Sequence, residues 1–260
     1  MDPGEETQMS QTRISQSGIT LAGKDYTGNL YARDVHQDGR PYHTFRTATV
    51  EVFADDVRFE GCRFANTAGP GEKVGQALAL YLDGEDIKLE DCILTGHQDT
   101  LFLAPLPERE YEKDGFLGPG KDLPRTPRTM IFERCRIEGS IDFVFGGATA
   151  YFYDCEFRSN APGFVFAPCT PAQVERGFTA INCRFTAAEG VPNQSCYIAR
   201  PWRDDGAVRL ENCYLGPHIH PDGWNDWGKK SAWGRIRFSE KNSYGPGAGT
   251  PRPPYVRVEN

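Results

Sequence analysis

The chain has 260 residues, a formal net charge of −7, 38% hydrophobic and 12% aromatic residues, and 28 glycines with 19 prolines. That length buries a large core, in one elongated domain or two compact ones, while turn formers and aromatics at this density favour many short strands over long helices. The acidic balance argues against a nucleic-acid partner, which needs a basic footprint, and no apolar run approaches the roughly 20 residues of a membrane span.

In chain order, residues 1–12, "MDPGEETQMSQT", are polar and acidic. They carry neither the basic nor the apolar segment of a secretion signal and are expected to be disordered. Beyond them one frame recurs: "RFEGCRFAN", "KLEDCILTG", "IFERCRIEG", "YFYDCEFRS", "TAINCRFTA" and "RLENCYLGP", around Cys62, Cys92, Cys135, Cys155, Cys183 and Cys213. Apolar and polar residues alternate on both sides of each cysteine, which is strand periodicity. The separations of 30, 43, 20, 28 and 30 residues describe a constant strand core with loops of unequal length, as in a solenoid. The predicted fold is all-β, a parallel β-helix of stacked coils with few helices, over residues 13–260 as a single domain.

Stacked coils lie about 4.8 Å apart, so distance alone permits disulfides between neighbouring frames. Side chains in register point the same way, however, and a buried ladder of small apolar thiols is the favoured expectation. No C-x-x-C pair suggests zinc. The 43-residue separation marks an insertion, "LAPLPEREYEKDGFLGPGKDLPRTPRT" (103–129). A long loop on such a scaffold is expected to wall a cleft.

Three stretches carry candidate chemistry: "GHQDTLF" (96–102), "GSIDFVFGG" (139–147) and "YIARPWRD" (197–204). Asp99 follows Cys92 by seven residues and Asp142 follows Cys135 by seven, which predicts two carboxylates on adjacent coils and one face. Two such groups cannot both ionise cheaply, so one pKa rises while a cation keeps the other low. Arg200 offers a planar, permanently charged fork for that role. There is no G-x-S-x-G elbow, and none of the five histidines sits in an obvious triad setting.

Taken together these stretches resemble the pectin methylesterase (pectinesterase) family of carbohydrate esterases, which fold as right-handed parallel β-helices. "GQALALY" (75–81), "RTATV" (46–50), "NTAGP" (66–70), "HPDGWNDW" (220–227) and "YGPGAGT" (244–250) add to the likeness, which runs from about Arg13 to Val258. The resemblance implies Asp142 as nucleophile, Asp99 as general acid and then base, Arg200 as the orienting cation, and Gln76 and Gln98 as oxyanion donors. It further implies that Phe102, Phe145, Trp202 and Trp224 line a sugar groove. The implied reaction is hydrolysis of the methyl esters of pectin to methanol and pectate, with no cofactor and no metal, and outside the cell. Two rival readings are another pectin-active β-helix enzyme, a lyase or galacturonase, and a sugar-binding β-helix without catalysis.

The sequence departs from the family's pattern in two places. The glycine-rich D-G-S-G-x-F-type opening has no counterpart, so the family's first N-terminal coil is expected to be missing. Ala199 stands where a glycine is usual before the arginine, which is expected to crowd the backbone. The net charge of −7 is expected to repel the polyanionic product and favour dispersed de-esterification.

Overall fold

A computed structural model describes residues 11–249 and 251–259. Its strands stack, every pair parallel, into three sheets that run the length of the molecule. The first sheet contains Thr12–Ile14, Val50–Val52, Leu80–Leu82, Leu101–Leu103, Val144–Gly146, Gly163–Pro168 and Cys196–Ala199. The second runs from Ile19–Ala22 to Val256–Glu259 in nine strands, and the third from Asp25–Gly28 to Tyr214–Leu215 in seven. Seven coils pass once through each sheet and two further strands extend the second, which makes a parallel β-helix. Residues 1–10 of the segment expected to be disordered lie outside the described residues, whereas Thr12 already opens a strand.

The cysteine frame is the corner between the second and third sheets. The residue before each cysteine has a left-handed backbone: Gly61, Asp91, Arg134, Asp154, Asn182 and Asn212 have φ between 51° and 59°. Glycine, asparagine and aspartate accept that region at least cost, so five of these six positions follow local chemistry, and Arg134 is the exception. Each thiol then donates to a carbonyl of the preceding coil, from Cys62 to Leu21 (3.3 Å) through Cys155 to Phe132 (3.5 Å) to Cys213 to Ala180 (3.4 Å). All eight cysteines are free and buried. A sulfur that fills the corner and satisfies a carbonyl explains why the frame is written around this residue.

Inside the helix, equivalent positions form ladders. Phe59, Leu89, Phe132, Phe152, Ala180 and Leu210 stand in register along the second sheet. Phe64, Leu94, Ile137, Phe157, Phe185 and Leu215 do so along the third. Burying each phenylalanine contributes about 1.5–3 kcal/mol. The next rung of the second-sheet ladder after Leu210 is Glu240, a buried carboxylate. Among the described residues the only α-helix is the single turn Gly71–Val74, and no helix is long and apolar enough to cross a membrane.

Candidate active site

The site lies on the outer face of the first sheet. Asp99 and Asp142 each precede a strand of that sheet by two residues, and those strands pair Leu101 with Val144. The two aspartates therefore hold the same place on adjacent coils, as the seven-residue offsets predict. Both have left-handed backbones, φ 63° and 50°, and the Asp99 amide donates to the Ile141 carbonyl at 2.9 Å. Aspartate is one of the few side chains that tolerates this conformation, which turns the chain sharply at the rim of the sheet.

Arg200 follows the strand Cys196–Ala199 and reaches back to Asp142. Its Nε donates to Oδ1 at 2.8 Å and its Nη2 to Oδ2 at 2.7 Å, a two-bond fork in a largely buried setting. The guanidinium is held flat between Phe164 (4.0 Å to the ring centroid) and Trp227 (3.7 Å). Stacking on both faces leaves it little freedom except in the plane of the carboxylate. The methyl group of Ala199 is fully buried in the core, so the strand accommodates it.

Burial pushes the Asp99 carboxyl well above the usual range; the Asp142 charge adds to this and Arg200 opposes it. Burial also raises Asp142, but there the fork from Arg200 opposes the rise directly. The expectation of one raised and one low carboxyl is thus modified, because desolvation lifts both. Of the pair, Asp99 has no direct cation and so favours its neutral form more strongly than Asp142 does.

The carboxylates open into a cleft of about 720 Å³. Gln76 and Gln98 line it beside them, as do Phe45, Phe116, Phe145, Trp202 and Trp227. Gly71 makes room for Gln98: a Cβ there would lie 2.4 Å from its Oε1 and 2.6 Å from its Cβ. The insertion supplies one wall through Tyr111, Glu112, Gly115 and Phe116. A smaller hollow of about 520 Å³ near Pro217 and Pro246 has Asp222 as its one charged lining residue and lies apart from this chemistry.

The sequence profile of the Pectinesterase family matches residues 9–116 and 125–256. The chain belongs to the pectinesterase family. Among curated relatives, it is 29% identical to "Pectinesterase QRT1" of Arabidopsis thaliana over 222 residues, 84% of this chain and 51% of that protein. It is 30% identical to "Probable pectinesterase A" of Aspergillus niger over 219 residues, 77% of this chain and 59% of the relative. The chain thus spans about half the length of these relatives. Its fold matches the pectin methylesterase from Yersinia enterocolitica with TM-score 0.77 at 24% identity, covering 97% of this chain and 86% of that one. A pectin methylesterase solved with a hexasaccharide matches equally well, TM-score 0.77 at 24% identity, over 96% of this chain and 80% of the other.

Against the pectinesterase pattern, two groove assignments are corrected. Trp224 is 1% exposed and does not face the cleft. Its indole N–H donates to Glu240 at 2.6 Å and its ring packs on Phe238, because a buried carboxylate at that rung needs donors. Phe102 is fully buried; it forms the floor under Phe45 and Phe145, 4.9 and 5.0 Å away between ring centroids. Phe145 and Trp202 do line the cleft.

Sequence reasoning missed Trp227, three residues beyond Trp224 in a stretch already singled out. Its left-handed φ of 56° is strained for so bulky a residue, and Asn225 Oδ1 accepts its backbone N–H at 2.7 Å. The segment around it is fixed from below. Arg252 donates to Glu240 Oε1 at 2.7 Å and to the Pro221 carbonyl at 2.8 Å, and Asn225 donates to the Ala199 carbonyl at 3.0 Å. Trp224, Glu240 and Arg252 therefore brace the segment that presses Trp227 onto Arg200.

Proposed function

We propose that this chain hydrolyses the methyl esters on C6 of the galacturonate units of pectin, releasing methanol and pectate. One observation supports the reading above the others. A carboxylate gripped by an arginine fork stands next to a buried carboxyl whose pKa burial pushes well up, in a cleft lined by aromatic rings and two glutamines. That is the inventory needed to attack an ester and protonate its leaving group.

In this proposal an Asp142 oxygen attacks the ester carbonyl while Arg200 holds the carboxylate in plane. The carbonyl electrons move to oxygen, and the side-chain amides of Gln76 and Gln98 donate to that oxyanion. Collapse of the tetrahedral adduct breaks the bond to methoxide, which takes the Asp99 proton and leaves as methanol. Asp142 is then joined to the sugar as a mixed anhydride. Asp99, now ionised, takes a proton from water as the water oxygen attacks the sugar acyl carbon. The anhydride C–O bond to Asp142 breaks, the galacturonic acid leaves and gives its proton to solvent, Asp142 is again a carboxylate and Asp99 is again protonated.

The aromatic cleft, together with a relative of the same fold solved with a hexasaccharide, supports a chain of sugars as the substrate. The decisive assay is methanol release from highly esterified pectin without added metal, with new reducing ends measured in parallel. Methanol without reducing ends supports the esterase. Reducing ends or unsaturated sugars point to a galacturonase or lyase, and binding without any product points to a sugar-binding β-helix.

A further inference from the structure

The outer face of the second sheet takes no part in the active site, yet its charges are sorted. Its strands pair in register, so the outward residues form two continuous rows along the molecule. The first row carries Arg58, Lys88, Arg209 and Arg257, with no carboxylate among its described members. The second, two residues further along each strand, carries Glu60, Glu90, Glu133, Glu211 and Glu259, and Lys241 is its one cation. At the centre the charges give way to Ile131, Tyr151 and Thr179 in the first row and to Tyr153 and Ile181 in the second. The two tyrosine rings lie 11° from parallel with centroids 6.2 Å apart.

Within the chain these charges pair sideways. Lys88 meets Glu133 at 3.0 Å and Glu90 at 3.5 Å, Arg209 meets Glu259 at 3.2 Å and also Glu211, and Arg257 meets Glu259 at 3.0 Å. A solvated ladder of ion pairs accounts for those contacts but not for two other features. Like charges directly opposed on neighbouring strands are destabilising, yet Arg58 stands beside Lys88, and Glu60, Glu90 and Glu133 stand beside one another. Reversing the order of sign in alternate coils relieves that repulsion, so sorting by row works against the isolated face. A sheet face turned to water also calls for polar side chains, and two isoleucines and two tyrosine rings occupy its centre instead.

We propose that this face docks a second copy of the chain, related by a two-fold axis parallel to the long axis of the β-helix. A half-turn about that axis lays the first row of each copy on the second row of the other, coil by coil. Arg58, Lys88, Arg209 and Arg257 then face Glu60, Glu90, Glu211 and Glu259, Tyr151 faces Tyr153, and Lys241 faces Ser239. Glu133 alone faces an apolar residue, Ile131, and keeps Lys88 of its own chain. The other half-turn, about an axis along the central strand, runs the copies antiparallel and sets Lys88 on Arg209 and Glu90 on Glu211. Complementary charge selects the first arrangement. Nine strands at about 4.8 Å spacing, two side chains wide, offer about 500 Å² per copy, near the lower bound of a specific interface. The dimer is therefore concentration-dependent. The cleft lies on another sheet and stays open in both copies, so the inference does not depend on the pectin reading.

The test is sedimentation equilibrium over a series of protein concentrations at low and high salt. The wild-type chain passes from monomer to dimer as concentration rises, and association weakens with salt. Lys88→Glu with Arg209→Glu makes the first row acidic, and Glu90→Lys with Glu211→Lys makes the second row basic. Each double variant alone loses at least about tenfold in association, because like charges now face one another. An equal mixture of the two associates again as a heterodimer, which ion pairing inside one chain does not produce. A second measurement serves if a row variant does not fold. Thr20 faces Ala22 across the proposed axis, and both are exposed. Chains carrying Thr20→Cys, mixed with chains carrying Ala22→Cys, are joined by a short thiol cross-linker, whereas the antiparallel arrangement puts those residues at opposite ends. A monomer at every concentration, a dimer indifferent to salt and to row reversal, or no cross-link between the two cysteine variants overturns the proposal.

Discussion

The corner between the second and third sheets and the outer face of the first sheet are built on opposite plans. At six successive corners the coils do the same thing: a left-handed residue, then a cysteine whose thiol meets the preceding coil. On the outer face the residues change from coil to coil. Glu51, Tyr81, Phe102, Phe145 and Ala167 occupy one row, and the loops above them differ in length and content. Repetition makes the scaffold, and departures from it make the site. A solenoid permits this because each coil needs only its neighbours for support.

This contrast implies different responses to substitution. The largest stability effect belongs to the inner ladder. Phe152→Ala removes a ring stacked on Phe132 at 4.7 Å and is expected to cost about 3–5 kcal/mol in chemical denaturation. Molecules that remain folded should keep their catalytic constants. A drop in kcat per folded molecule would show that the core and the site are less separate than described.

Trp224→Phe sits between the two regions. It keeps the packing on Phe238 but removes the donor to buried Glu240, an expected loss of about 1–3 kcal/mol. Because this brace presses Trp227 onto Arg200, the acid limb of kcat/KM should also move to higher pH as Asp142 loses support. A stability loss with an unmoved limb would mean the brace is merely structural.

Asp99→Asn should act in the reverse sense on stability. The folded-state pKa of Asp99 is raised, so its contribution to stability is full below the unfolded value of about 4. It is lost as pH rises through the folded value. The asparagine variant escapes that loss and should melt higher than wild type at neutral pH, with the gap closing under acid. A gap independent of pH would contradict the assigned protonation. The smallest effect is expected for Cys155→Ala, about 1 kcal/mol for one thiol–carbonyl contact and its packing.

The two regions also differed in how legible they were. The frame around Cys62 to Cys213 exposes the coils because turn chemistry and periodicity repeat in every one. Asp99 and Asp142 could be set side by side by counting from those cysteines, and the parallel register of Leu101 with Val144 agrees. Trp224 and Trp227 could not be sorted from sequence. Which of two tryptophans faces the cleft depends on a buried carboxylate 16 residues away from Trp224 in sequence. Such contacts follow from loop paths, which local pattern does not encode.

The division of labour between the two aspartates is open to one direct comparison. Asp142→Asn and Asp99→Asn are assayed on the methyl ester and, in the first turnover, on an ester with a good leaving group. Asp142→Asn should be inactive on both, since no covalent intermediate can form. Asp99→Asn should lose roughly 10²–10⁴-fold on the methyl ester and regain most of that in the first turnover of the activated ester, where no proton is needed for departure. Methanol release by Asp142→Asn at the wild-type rate, or rescue of that variant and not of Asp99→Asn, would reverse the assignment.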